Sequence, residues 1–131
     1  MAMLDRIQFI GNLGRDPEMR YTPQQKKVTA FSVATNRRYK TSDGREVEET
    51  RWHRVETWGT LAEVCNKRLK VGDQVMVEGV LKADPETGGP KIYTNREGKP
   101  TASFEVLAQK VIFMNEPVDN EDKQSEEDFP F

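Results

Sequence analysis

The seven residues Trp52-His53-Arg54-Val55-Glu56-Thr57-Trp58 hold both tryptophans and the single histidine of a 131-residue sequence. If they form a strand, alternate side chains share a face. One face then carries Trp52, Arg54, Glu56 and Trp58, and the other carries His53, Val55 and Thr57. Arg and Glu are rarely buried without a partner, so the first face is expected to look toward solvent with both indoles on it. Exposed aromatics interleaved with an arginine suit two chemistries. Indoles can stack on any nucleobase while the guanidinium neutralises a phosphate, or the same residue types can anchor a protein–protein contact. The stretch alone leaves both open.

The same ingredients recur elsewhere. Arg37, Arg38, Tyr39 and Lys40 follow one another, Tyr93 lies between Lys91 and Arg96, and Arg20 precedes the pair Lys26-Lys27. Each group taken singly reads as solvated surface; their recurrence favours a nucleic-acid groove. Nothing comparable supports catalysis. His53 falls on the inward side of its strand, and the lone Cys65 reads as a small core residue. One His and one Cys cannot make a common zinc site. Gly88-Gly89 lacks the lysine and hydroxyl of a phosphate-binding loop. Glu46, Glu48 and Glu49 read as a solvated arm rather than a cation site. The expectation is a binding protein with no enzyme activity, cofactor or metal.

The elements that would position these residues follow from local signals. Leu4 to Asn12 reads as a strand ending at the Gly11-Asn12-Leu13-Gly14 turn. A short extended piece at Met19 to Tyr21 precedes a β-branched strand at Val28 to Asn36. Thr41-Ser42-Asp43-Gly44 marks a tight turn, placing Arg37 to Lys40 and Arg45 to Glu49 on the arms of a protruding hairpin. Arg51 to Trp58 is the third main strand. Thr60-Leu61-Ala62-Glu63 fits a capping box, and Leu61, Val64, Cys65 and Leu69 fall on one helical face. Gly72 is placed to end that helix in a left-handed cap. Gln74 to Lys82 and Ser103 to Met114 complete the strands, separated by the Ala83 to Pro90 loop and a second hairpin turning near Gly98. Five strands with one helix between the third and fourth match the OB-fold, a mainly β, partly open five-stranded barrel.

Charge divides the chain into two parts. The formal net charge is −2 and the isoelectric point near 5.5, values that at first disfavour a nucleic-acid partner. Asn115 to Phe131, however, holds seven acids against Lys123 alone, a net −6, while residues 1–114 hold 19 Lys and Arg against 15 Asp and Glu, a net +4. A basic body with an acidic appendage is the better description. The domain is expected at 1–114 and a short disordered acidic linker and tip at 115–131, because that segment lacks periodicity. Its end, Asp128-Phe129-Pro130-Phe131, sets two phenylalanines beside acids, a pattern suited to an apolar pocket rimmed by Lys or Arg on a partner protein. The mean hydropathy of −0.80 and the absence of a long apolar run argue against a membrane span. Asp5 and Arg6 stand where a secretory signal would need apolar residues. A cytoplasmic location is expected.

Several of these pieces together resemble the bacterial-type single-stranded DNA-binding protein family. They are Ile10-Gly11-Asn12-Leu13-Gly14-Arg15-Asp16-Pro17-Glu18, Arg20-Tyr21-Thr22-Pro23, Trp52-His53-Arg54-Val55, Leu61-Ala62-Glu63-Val64, Val77-Glu78-Gly79-Val80-Leu81 and the Phe129-Pro130-Phe131 tip. The resemblance implies an OB-fold assembled as a homotetramer that binds single-stranded DNA in replication, recombination and repair. It puts Tyr39, Trp52, Trp58 and Tyr93 at stacking positions, and Arg20, Lys40 and Arg54 at basic positions near DNA. It also places His53 at a subunit interface and makes the tip the segment that recruits partner enzymes. Three departures stand out: Tyr39 where a tryptophan is common, an insertion at Ala83 to Gly89, and a linker of 11 residues from Asn115 to Ser125. Such a linker reaches roughly 18 Å as a flexible chain.

Overall fold

A computed structural model describes residues 2–114. The strands are β1 (Ile7–Leu13), β2 (Glu18–Tyr21), β3 (Lys27–Lys40), β4 (Glu46–Trp58), β5 (Gln74–Leu81), β6 (Ile92–Thr94), β7 (Pro100–Ala102) and β8 (Phe104–Phe113), with helix α1 (Thr60–Arg68) between β4 and β5. In the main sheet the order is β1-β5-β8-β4-β3-β2, and an additional β1–β3 pairing closes the first five into a barrel. The β4–β8 pair is parallel, and the other pairs are antiparallel. Five closed strands with the helix after β4 make this the OB-fold. The short strand β2 adds to β3 outside the barrel, and β6–β7 is a separate hairpin.

Period-two burial builds the core. Phe31 and Val33 on β3, Val55 on β4, Val75 and Val77 on β5, and Val106 and Ala108 on β8 converge with Leu13, Cys65 and Leu69. Closure needs β1 and β3 to approach closely at Gly11, where a Cβ would overlap the Ala34 carbonyl oxygen. The helix is tied to the barrel by buried hydroxyls. Thr29 Oγ1 donates to the Ala62 carbonyl at 2.7 Å, and Thr57 Oγ1 donates to the Thr29 carbonyl at 2.9 Å.

Three local expectations change. The expected capping box does not form: Gly59 is the N-cap, no side chain caps the helix, and Glu63 pairs instead with Lys27. The helix stops at Arg68, with Leu69 already extended, so Gly72 does not cap it. Its φ of +91° instead serves the turn in which the Asp73 amide donates to the Lys70 carbonyl. The hairpin arms are not separate segments either. β3 and β4 run unbroken from the Val28–Trp58 pair to the Lys40–Glu46 pair, because the turn at Thr41–Arg45 keeps both strands in register.

Candidate nucleic-acid interface

The register of the sheet settles which side chains share the outer face of β4. Asn12, Ala34 and Trp52 lie in one row across β1, β3 and β4; Ser32, Arg54 and Glu105 lie in the next across β3, β4 and β8. Ala30, Glu56 and Leu107 form a third row, and Arg20, Val28 and Trp58 a fourth across β2, β3 and β4. Rows on one face alternate with rows facing the core, where His53, Val55 and Thr57 are buried. The β3 members of three of the rows, Ala30, Ser32 and Ala34, are small, so the aromatic and charged residues of β4 stand beside a low floor.

Trp52 and Trp58 are 51% and 40% exposed, and six residues of strand set them about 20 Å apart. Trp52 owes its position to Gly14: a Cβ there would overlap the outer edge of the indole ring. Sequence reasoning read Gly14 as part of a turn and of the family motif; a glycine directly after a strand does not announce the aromatic it seats. Trp58 borders an open cleft of about 660 Å³ with Lys26, Lys27 and Thr60 among its walls. Arg20 stands two strands from Trp58 on the same face, about 10 Å away.

Glu56 corrects an expectation. It shares the face of the tryptophans but is buried, and its Oε2 accepts a 2.8 Å bond from Lys82 Nζ. The strand pattern could not reveal this, because the lysine follows β5, 26 residues away in sequence.

The hairpin residues divide. Tyr39 lies five positions from Ala34, an odd number, so it and Arg37 have the pleat parity opposite to Trp52. The Arg37 guanidinium carbon sits 5.1 Å from the centre of the Tyr39 ring, a cation–π contact. Arg38 and Lys40 have the parity of Trp52; Arg38 lies 3.9 Å from Glu48, and both are exposed. Glu49 bonds Arg51 at 3.0 Å. The structure therefore does not line Tyr39 up with the two tryptophans on one flat face.

Tyr93 sits on β6, with Lys91 Nζ 5.4 Å from its ring centre. Its hydroxyl donates to Glu105, 3.2 Å from each carboxylate oxygen, which pins the β6–β7 hairpin over the outer face of β8. Glu105 was not singled out from sequence. A lone acid within the apolar run of β8 was the available signal.

His53 is buried in the expected orientation. Its ring stacks on Phe9 at 4.1 Å between centroids, and Phe104 lies 6.0 Å away. Burial pushes the imidazole below its ordinary value, with the Arg51 charge acting in the same direction, and Nδ1 has no hydrogen-bond partner among the described residues. Cys65 is buried with its thiol pushed up to about 12, which leaves no thiolate for nucleophilic chemistry. No helix among the described residues is long and apolar enough to cross a membrane. The acidic segment and its tip, Asp128 to Phe131, lie outside the described residues.

With this geometry established, the sequence model of the single-strand binding protein family matches residues 4–114. The chain belongs to that family. Among relatives of this single-strand binding protein family member, "Single-stranded DNA-binding protein 1" of Xylella fastidiosa is 37% identical over 121 residues, covering 92% of this chain and 84% of the relative. A protein of the same name from Chlorobaculum tepidum is 42% identical over 95 residues, covering 70% of this chain and 59% of the relative. The family fold also appears in solved structures. The small single-stranded DNA-binding protein from Streptomyces coelicolor superposes with a TM-score of 0.67 at 25% identity, covering 85% of this chain and 95% of that one. A Plasmodium falciparum SSB complex with ssDNA gives 0.67 at 23% identity, covering 86% and 96%, a likeness of fold.

Proposed function

We propose that this protein binds single-stranded DNA with little regard to sequence, along the outer face of β3 and β4. The observation that carries the reading is the pair of half-exposed indoles, Trp52 and Trp58, flanking Arg54 beside the small residues of β3. Base stacking on an indole is worth about 1–3 kcal/mol per base and tolerates any base. Arg54, Arg20, Lys40, Arg37 and Arg38 supply cations for the backbone, and Tyr93 and Tyr39 extend the aromatic track. Family membership and the names of the relatives support the same ligand.

Copies of the chain assemble as a homotetramer with His53 at a subunit contact, supported by the buried His53–Phe9 stack beside Phe104, which is 57% exposed. The 1–114 domain binds DNA in the cytoplasm, and the Asp128 to Phe131 tip recruits replication, recombination and repair enzymes. The protein acts by binding and not by catalysis.

The test is tryptophan fluorescence during titration with oligo(dT) at low and moderate salt. Saturable quenching that weakens as salt rises is expected, because phosphate neutralisation releases counterions. Constant fluorescence with no binding would turn the aromatic face into a protein-docking surface.

A further inference from the structure

The outer face of the sheet carries two nearly buried carboxylates, and their surroundings differ. Glu56 is neutralised by Lys82 at 2.8 Å. Among the described residues, the Glu105 carboxylate receives only the Tyr93 hydroxyl, although Arg54 is its neighbour in register. Arg54 and Glu105 form no ion pair; instead, together with Tyr93 and Ser103, they line a cleft of about 280 Å³. A buried, unneutralised carboxylate in a groove for a polyanion repels phosphate and wants a hydrogen-bond donor. The guanidinium across the cleft wants an acceptor. Tyr93, held at the rim by its own bond to Glu105, offers a ring.

We infer that this cleft is a base-reading pocket that takes one nucleobase bearing an exocyclic amino group, the amine donating to Glu105 and the adjacent ring nitrogen accepting from Arg54. Cytosine meets both demands with N4 and N3, and carboxylates accept from cytosine N4 in other nucleic-acid complexes. Thymine places its O4 where the amine would be, against the carboxylate. The Tyr93 hydroxyl sits symmetrically between the carboxylate oxygens, so each oxygen keeps an outer lone pair for the amine. Stacking on the tryptophans remains indifferent to sequence, and the pocket adds a preference at one nucleotide of those bound. This inference rests on the DNA-binding reading above.

The test compares oligo(dC) with oligo(dT) of equal length and at equal salt, on the full-length protein and its Glu105→Gln variant. Removing the charge strengthens phosphate binding to both oligonucleotides alike, so the dC-to-dT affinity ratio isolates the base. That ratio is expected to fall about fivefold in the variant, the order of one hydrogen bond to a charged acceptor weakened to a neutral one. An unchanged ratio overturns the inference. Because the substitution is nearly buried and could unfold the chain, the unmodified protein is also titrated with an oligomer of N4,N4-dimethyl-2′-deoxycytidine. That base keeps its stacking face and loses both donors, so weaker binding than oligo(dC) supports the pocket and equal binding overturns it. If neither oligo(dC) nor oligo(dT) quenches the tryptophans, the DNA-binding reading itself fails, an outcome distinct from quenching with an unaltered ratio.

Discussion

Lys82 Nζ lies 2.8 Å from Glu56 Oε2, joining the residue after β5 to the C-terminal end of β4 on the aromatic face. The Glu56 side chain is 11% exposed and that of Lys82 39%. Lys82→Ala strands the carboxylate without its partner. Complete burial of such a pair would make the loss large, but the lysine is partly hydrated, so the expected loss of stability is about 1–2 kcal/mol. Lys82→Ala with Glu56→Gln should recover most of it. Urea unfolding of the two variants measures the difference, and a silent Lys82→Ala would remove the pair from any account of stability.

Trp52 and Trp58 differ from Tyr39 in which side of the sheet they occupy, and the difference can be measured. Trp52→Ala or Trp58→Ala should each weaken oligo(dT) binding by about 1–3 kcal/mol. Tyr39→Ala should cost less, because its ring has the opposite parity and is already engaged by Arg37. Equal losses at all three positions would mean that DNA wraps around the edge of the β3–β4 ribbon.

Gly14 tests whether the position of the indole matters or only its presence. Gly14→Val leaves Trp52 in the chain but occupies the space of its ring. The expected results are a shifted Trp emission spectrum and a DNA affinity as low as that of Trp52→Ala. Stability should change little, since Gly14 is exposed. An affinity matching the unmodified protein would show that the indole finds another productive rotamer.

His53 gives the fold an acid sensitivity. Its folded-state value is held below the ordinary 6.5 by burial and Arg51, so the unfolded chain takes up the proton more readily. The stability associated with the neutral ring is therefore complete above pH 6.5 and is lost as pH falls through the lowered folded value. Urea midpoints between pH 7.5 and 5 should decline in the unmodified protein and flatten in His53→Phe, a ring able to keep the stack on Phe9. Parallel declines in both proteins would assign the acid sensitivity to other groups.

Much of the architecture was legible because it depends on local pattern. The helix between β4 and β5, the Thr41–Arg45 turn, the strand at Glu18–Tyr21 and the second hairpin all rest on signals carried by a few adjacent residues. The capping box was a local signal that tertiary contact overrode: Glu63 found Lys27 on β3, a partner 36 residues away. The second hairpin pairs Ile92–Thr94 with Pro100–Ala102 around the expected turn near Gly98.

By itself, the sequence determined that Trp52, Arg54 and Trp58 share one face and that His53 and Val55 share the other, because strand alternation is a property of the backbone. It also determined the division of charge between body and tail. Tertiary structure alone decided the neighbours. Lys82 reaches Glu56, Tyr93 reaches Glu105, Gly14 makes room for Trp52, and Arg20 joins the row of Trp58. Each of these pairs comes from different elements, so its contact depends on sheet order and register, which barrel closure imposes on the whole chain at once.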